Sequence, residues 1–159
     1  MTVRTLVLGL GNPLLKDDSA GLRAVKMLRE TLPENDQIEI DEDYWGGLRL
    51  MEHMIGFDRA VIIDAILTGA APGTIHLLSP ADIPTQRSAS AHDLNLPTAL
   101  TLGRQAGAHL PASEDILLIG IEAADVQTFD ESLSPEVEAA LPHAVDAAIY
   151  ALEIEKEIL

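Results

Sequence analysis

The 159-residue sequence predicts a single-domain α/β sandwich of three layers, in which a mostly parallel, twisted sheet of about five strands lies between helices. Short apolar runs bounded by glycine, proline or acidic residues alternate with segments whose apolar residues recur at helical spacing. The run "RAVIIDAI" is apolar on both faces, which is typical of a central parallel strand covered by helices on each side.

The other elements follow along the chain. "TLVLG" predicts the first strand, Asp18 to Leu32 a helix that Pro33 ends, and "IEIDED" the second strand. "GLRLMEHMIG" predicts a short helix before the central strand, and "GTIHLLSP" has the period of two of a strand. Because no helix precedes "GTIHLLSP", we expect it to join antiparallel at one edge of the sheet. "HDLNLPTALTLGRQAG" predicts a helix and "DILLIGIEA" a buried strand, and Ser134-Pro135 begins the last helix.

Composition excludes several classes of function. The 26 acidic and 10 basic residues give a formal net charge of −16, which repels nucleic acid and anionic lipid. The chain has no cysteine, which excludes disulfides, thiolate metal sites and a cysteine nucleophile. The first residues lack the pattern of a signal peptide, and no apolar stretch is long enough for a bilayer. We therefore predict a cytoplasmic protein with no nucleic-acid or membrane partner.

Three polar residues are predicted at the carboxyl edge of the sheet, where α/β proteins bind small ligands. Asp18 follows the first strand, Asp64 ends "VIID", and His92 precedes a helix. Two carboxylates and an imidazole suit a divalent cation such as zinc, nickel or manganese. A simpler reading stays open: Asp17 or Asp18 offsets the dipole of the following helix, and Asp64 anchors a loop.

Common motifs do not account for the glycine-rich turn after the first strand. Gly9 and Gly11 begin a dinucleotide fingerprint, but Leu14 stands where its third glycine belongs, and two aspartates follow. "GLGNP" resembles the start of peptidyl-tRNA hydrolases, but the Thr-Arg-His-Asn segment of that family is missing. H-E-x-x-H and G-x-S-x-G do not occur either. These absences remove the commonest hydrolase chemistries.

Three ordered blocks together resemble the hydrogenase maturation endopeptidases, which trim the C-terminal tail of the large subunit of nickel–iron hydrogenases. "VLGLGNPLLKDDSAGLRAV" is similar to their first strand, Gly-x-Gly-Asn turn and acidic pair. "VIIDAI" with the later "PGTI" resembles their second block, and "SAHDLNL" their Ser-x-His segment. The likeness covers most of the chain, which we read as one such domain over residues 1–159. Two departures are Ser19, where the family usually has glycine, and "DEDYWGGL" after the second strand.

The resemblance implies an endopeptidase that removes the C-terminal extension of a nickel-loaded large-subunit precursor. It also implies that Asp18, Asp64 and His92 contact the metal. Our hypothesis for the reaction leaves two routes open: the cation polarises the scissile carbonyl or lowers the pKa of the attacking water, or a carboxylate, Asp18 or Asp17, serves as general base. We expect nickel to be recognised in the substrate, and no tightly held cofactor of the chain's own. The alternative is a non-catalytic α/β module that senses a metal or nucleotide and binds a partner without cleaving it.

Overall fold

One five-stranded sheet forms the centre of the protein. The structure, a computed structural model, describes residues 2–44, 48–82 and 96–158, with only the backbone at 48 and 154–158. The strands are β1 (Thr5–Leu10), β2 (Ile38–Asp43), β3 (Arg59–Ile66), β4 (Ile75–Leu78) and β5 (Ile116–Glu122). They lie in the order β2-β1-β3-β5-β4, all parallel except β4, which pairs antiparallel with β5. The predicted sheet with its antiparallel edge strand is confirmed.

Helices cover both faces of this sheet. They are α1 (Ala20–Thr31), α2 (Leu48–Met54), α3 (Leu96–Gln105) and α4 (Pro135–Ile158). Side chains of β3 alternate between two cores, because Val61 and Ile63 pack with α1 and α4, whereas Ala60 and Ile62 pack with α2 and α3. The three-layer prediction is therefore confirmed. Within the described ranges, no helix combines the length and the apolar character that crossing a bilayer requires.

Helix α1 approaches the sheet closely at Gly21. A Cβ atom there would lie 2.2 Å from the carbonyl oxygen of Ile63 and 2.5 Å from that of Leu10, so only glycine permits the contact. A single 3-10 turn, Asp17–Ser19, immediately precedes α1. The close packing of α1 therefore holds both aspartates of this turn at the carboxyl ends of β1 and β3.

Candidate active site

Asp18 is held by the glycine-rich turn that follows β1. Gly11 has a φ of +152°, and a Cβ atom on it would lie 2.0 Å from the carbonyl oxygen of Asp18. The backbone N–H of Asn12 donates to Oδ2 of Asp18 at 3.0 Å, and the side-chain oxygen of Asn12 accepts from the N–H of Leu14 at 2.9 Å. The Gly-Asn pair thus lets the chain fold back around the carboxylate of Asp18.

Asp64 lies near the carboxyl end of β3, the strand next to β1. It follows Ala60 and Ile62 at intervals of two residues and therefore belongs to the face that α2 and α3 cover. Oδ1 of Asp64 and Oδ1 of Asp18 are both buried, and neither has a hydrogen-bond partner among the residues that the structure describes. Burying a carboxylate oxygen without a partner is costly, so such a pair calls for a proton, a cation or a substrate.

Burial shifts the protonation of both groups, and repulsion by Asp18 adds to the shift at Asp64. Burial raises the pKa of Asp18 to about 6, against a smaller opposing effect of the N–H of Asn12. Burial, and next the negative charge of Asp18, raise the pKa of Asp64 well above its usual range, with the N–H of Ala65 opposing. The pair therefore resists carrying two negative charges, and this favours either a shared proton or a bound cation.

Asp17 is as deeply buried as Asp18 but fully satisfied. Oδ2 of Asp17 accepts hydrogen bonds from the N–H groups of Ala124 and Asp125, at 2.9 and 2.8 Å, and from Oγ of Ser134 at 2.8 Å. Oδ1 of Asp17 accepts from the N–H of Ser134 at 2.8 Å. The sequence predicts Ser134 at the start of α4, and in the structure its hydroxyl donates to Asp17. This carboxylate fastens the loop between β5 and α4 to the turn after β1.

Glu122 ends β5 and is also buried, on the same strand face as Asp64. It accepts hydrogen bonds from the N–H of Thr68 at 2.8 Å and from its hydroxyl at 2.5 Å, and Nε2 of His76 lies 3.0 Å from it. Sequence reasoning placed His76 on the edge strand but missed this pairing. Both partners come from the segment between β3 and the end of β4, so Glu122 holds that segment to the sheet.

Asp43 is the buried carboxylate at the end of β2. It accepts from the N–H of Tyr44 at 2.7 Å and from Nε of Arg49 at 3.3 Å, and Nε2 of His53 lies 2.6 Å away. Two basic residues one helical turn apart on α2, Arg49 and His53, thus meet one acid. That spacing is the signal that sequence reasoning passed over.

His92 lies outside the residues that the structure describes. Helix α3 begins at Leu96, four residues later, and packs Leu96 and Leu100 on the face that carries Asp64. Over the described part of the chain, no three His, Cys, Asp or Glu side chains form a group that could hold a metal ion. The oxygens of Asp18 and Asp64 that have no partner among the described residues are hard donors of the kind that divalent cations bind. These two oxygens alone do not complete a set of metal ligands.

The fold and the carboxylate pair together define a class of protein. It is a doubly wound α/β protein with a candidate acid–base or cation site where the strand order reverses, between β1 and β3. The family model described as hydrogenase maturation protease matches residues 22–151. The chain therefore belongs to the hydrogenase maturation protease family and is a peptidase.

Individual relatives agree with this assignment. The hydrogenase 2 maturation protease of Escherichia coli K12 is 32% identical, over 94% of this chain and 91% of the relative. The hydrogenase expression/formation protein HoxM of Azotobacter vinelandii is 30% identical, over 91% of this chain and 70% of its own. The solved hydrogenase maturating endopeptidase HybD from Escherichia coli has a TM-score of 0.82 at 32% identity, covering 96% of this chain and 94% of that chain. The [NiFe] hydrogenase maturation protease HybD from Thermococcus kodakarensis has a TM-score of 0.71, also at 32% identity, covering 93% and 98%.

Proposed function

We propose that this chain removes the C-terminal extension of a nickel-loaded large-subunit precursor of a nickel–iron hydrogenase in the cytoplasm. The reaction class follows from membership of the family, and the single observation that carries the site is the buried pair Asp18 and Asp64. Within the described ranges, each member has one oxygen without a partner, at the edge of the sheet where α/β proteins bind their ligands. A peptide bond brought to this edge would meet the pair directly.

In this proposal Asp18, Asp64 and His92 contact nickel that the precursor already holds. The two free oxygens and one imidazole supply fewer ligands than the four of a structural zinc site, and the chain has no cysteine to add. Such a set completes the coordination of an ion that is bound elsewhere. The positive charge of that ion removes the repulsion between the two carboxylates, so binding of a loaded precursor is favoured over binding of an empty one.

Of the two aspartates predicted as general base, Asp18 fits the role. The four hydrogen bonds that the structure describes for the carboxylate of Asp17 tie it to the loop between β5 and α4, whereas Oδ2 of Asp18 accepts from the N–H of Asn12 and burial raises the pKa of Asp18 to about 6. With Oδ1 on the nickel, Oδ2 of Asp18 takes a proton from the attacking water while the water oxygen bonds to the scissile carbonyl carbon. The carbon–nitrogen bond then breaks, and the leaving nitrogen receives that proton. Asp17 serves as a positioning residue.

Mass spectrometry of a nickel-loaded precursor incubated with the protein tests this function. We expect the wild type to release one defined C-terminal peptide, and Asp64→Asn to reduce the rate at least about 1,000-fold. Asp146→Asn is the matched control, because it makes the same chemical change at an exposed position of α4. A precursor that stays intact with the wild type would overturn the proposal, and an intact complex would support the partner-binding alternative.

The source of the nickel needs a separate experiment. We expect the nickel-free precursor to remain uncleaved, even when the protease has first been incubated with nickel and then freed of excess ion. Cleavage of the nickel-free precursor by this pretreated protease would show that the enzyme itself carries the metal. Reloading the precursor with nickel in parallel provides the positive control.

A further inference from the structure

Two loops at the carboxyl edge of the sheet pair as a short antiparallel ribbon. Leu15 and Phe129 face each other in an isolated β-bridge. The N–H of Lys16 donates to the carbonyl oxygen of Thr128 at 2.9 Å, and the N–H of Asp130 donates to that of Leu14 at 3.2 Å. We call residues 12–16 and 125–131 the docking ribbon. It adjoins the reacting centre, because Asp17 and Asp18 follow its first strand directly.

The docking ribbon is held rigidly from within. The carboxylate of Asp125 accepts from the N–H groups of Gln127 and Thr128 and from the hydroxyl of Thr128, at 2.9, 3.0 and 2.5 Å. Asp130 accepts from the N–H and the hydroxyl of Ser132, both at 2.8 Å. With Asp17 fastening its base, the ribbon is ordered before any partner arrives, so little conformational entropy is lost on binding.

This rigid ribbon presents an aromatic side chain to solvent. Phe129 is 79% exposed, whereas the other phenylalanine of the chain, Phe57, is 5% exposed. Leu14, on the opposing strand of the ribbon, is 59% exposed. Aromatic side chains held in place at a protein surface are the commonest anchors of protein–protein interfaces. The exposure of Phe129 is therefore explained if it enters a pocket of a partner.

Charge indicates what surrounds that pocket. The docking ribbon carries three acids, Asp125, Asp130 and Glu131, and one base, Lys16, whose Nζ lies 3.4 Å from Asp130. The whole chain has a formal net charge of −16, so a second copy would be repelled at this surface. A partner with Lys or Arg side chains around an apolar pocket complements the ribbon.

We propose that Phe129 anchors this chain on the folded hydrogenase precursor, in an apolar pocket bordered by basic side chains. The inference rests on the proposed function, because the precursor is the protein whose peptide bond must reach Asp18. Asp17 stands between the docking ribbon and Asp18 in the sequence, and its carboxylate accepts hydrogen bonds from the loop that forms the second strand of the ribbon. A partner that reaches Asp18 therefore lies against the docking ribbon. Docking through Phe129 would add recognition of the precursor's folded body to recognition of its cleaved segment.

Steady-state cleavage of the nickel-loaded precursor tests the anchor. For Phe129→Ala we expect KM to rise at least about tenfold while kcat stays within about twofold, because the anchor binds and takes no part in the reaction. Tyr150→Ala is the matched control: Tyr150 is an aromatic residue of α4 that is 66% exposed, and its loss should leave KM unchanged. Glu131→Lys should raise KM at low ionic strength and lose this effect at high salt.

The outcomes separate the two proposals. If the wild type does not cleave the precursor, the proposed function is wrong. If the wild type cleaves and Phe129→Ala has an unchanged KM, only the docking inference is wrong. Sedimentation velocity of the wild type and of Phe129→Ala tests whether a second copy of this chain binds the docking ribbon instead. If the wild type is a dimer, the variant is a monomer and KM is unchanged, the ribbon serves self-association and the docking inference is wrong.

Discussion

Asp17 and Asp18 are consecutive and equally buried, yet their surroundings are opposite. In the part of the chain that the structure describes, Asp17 is 0% exposed and accepts four hydrogen bonds, whereas Asp18 is 1% exposed and has an oxygen with no partner. The difference shows that burial does not distinguish a hydrogen-bonded acid from one that is available to a ligand. The number of hydrogen-bond donors that face each carboxylate does distinguish the two, because these donors stabilise the negative charge of the carboxylate.

The same contrast separates Glu122 from Asp64, which lie on one face of two adjacent strands. Glu122 is satisfied by Thr68 and His76, whereas Asp64 keeps an unpartnered oxygen. Replacing a satisfied carboxylate should therefore destabilise the protein, replacing an unsatisfied one should stabilise it, and distorting the turn that holds Asp18 should lower both stability and activity. Four substitutions test this comparison, in decreasing order of expected effect on the free energy of unfolding.

Asp17→Ala should have the largest effect, a loss of about 3–5 kcal/mol in the free energy of unfolding. It removes a fully buried carboxylate and leaves the N–H groups of Ala124, Asp125 and Ser134, of which that of Ser134 is buried, without their acceptor. Urea denaturation measures the loss, with Asp146→Ala on the exposed side of α4 as the control. A loss below about 1 kcal/mol would show that Asp17 does not fasten the loop.

Gly11→Ala should cost about 2–3 kcal/mol, because the added Cβ meets the carbonyl oxygen of Asp18 and the positive φ disfavours any side chain. Since the clash displaces Asp18, cleavage of the precursor should fall with stability. Gly107→Ala is the matched control: Gly107 also has a positive φ, but no atom of the described residues lies within 4 Å of its Cβ position. Equal loss of activity in both variants would contradict the role given to Gly11.

Glu122→Gln should cost about 1–2 kcal/mol, because the amide places a donor toward the N–H or hydroxyl of Thr68 and removes the charge facing His76. Thermal unfolding measures this change. His76→Gln is a second variant that removes the imidazole alone and should cost less. If Glu122→Gln were as stable as the wild type, the contrast with Asp64 would fail.

Asp18→Asn should have the smallest effect and the opposite sign, a gain of about 1 kcal/mol at pH 8. Because the pKa of Asp18 is raised to about 6 in the folded state, that state binds more protons than the unfolded chain between about pH 4 and pH 6. The free energy of unfolding of the wild type therefore falls as pH rises through this interval. The difference in the free energy of unfolding between Asp18→Asn and the wild type should therefore be close to zero at about pH 4 and should increase as the pH rises to about 6.

Much of the fold was predictable because it depends on local patterns. Runs of apolar residues identified the strands, and "GTIHLLSP" was correctly placed as the antiparallel edge. The positions of Asp18 and Asp64 at the ends of β1 and β3 followed from the same patterns. The unequal roles of Asp17 and Asp18 were not predictable, because donors to Asp17 stand 107 to 117 residues away along the chain.

By itself, the sequence determined the alternation of strands and helices, the glycine-rich turn after the first strand, and the two acids that follow this turn. These depend on periodicity and on steric limits that neighbouring residues impose on one another. Only the tertiary structure decided which acids have partners, and it did so by bringing Ala124, Asp125 and Ser134 to Asp17 while leaving Asp18 facing Asp64. The physical reason is that a buried charge is stabilised by donors near it in space, wherever they stand in the chain.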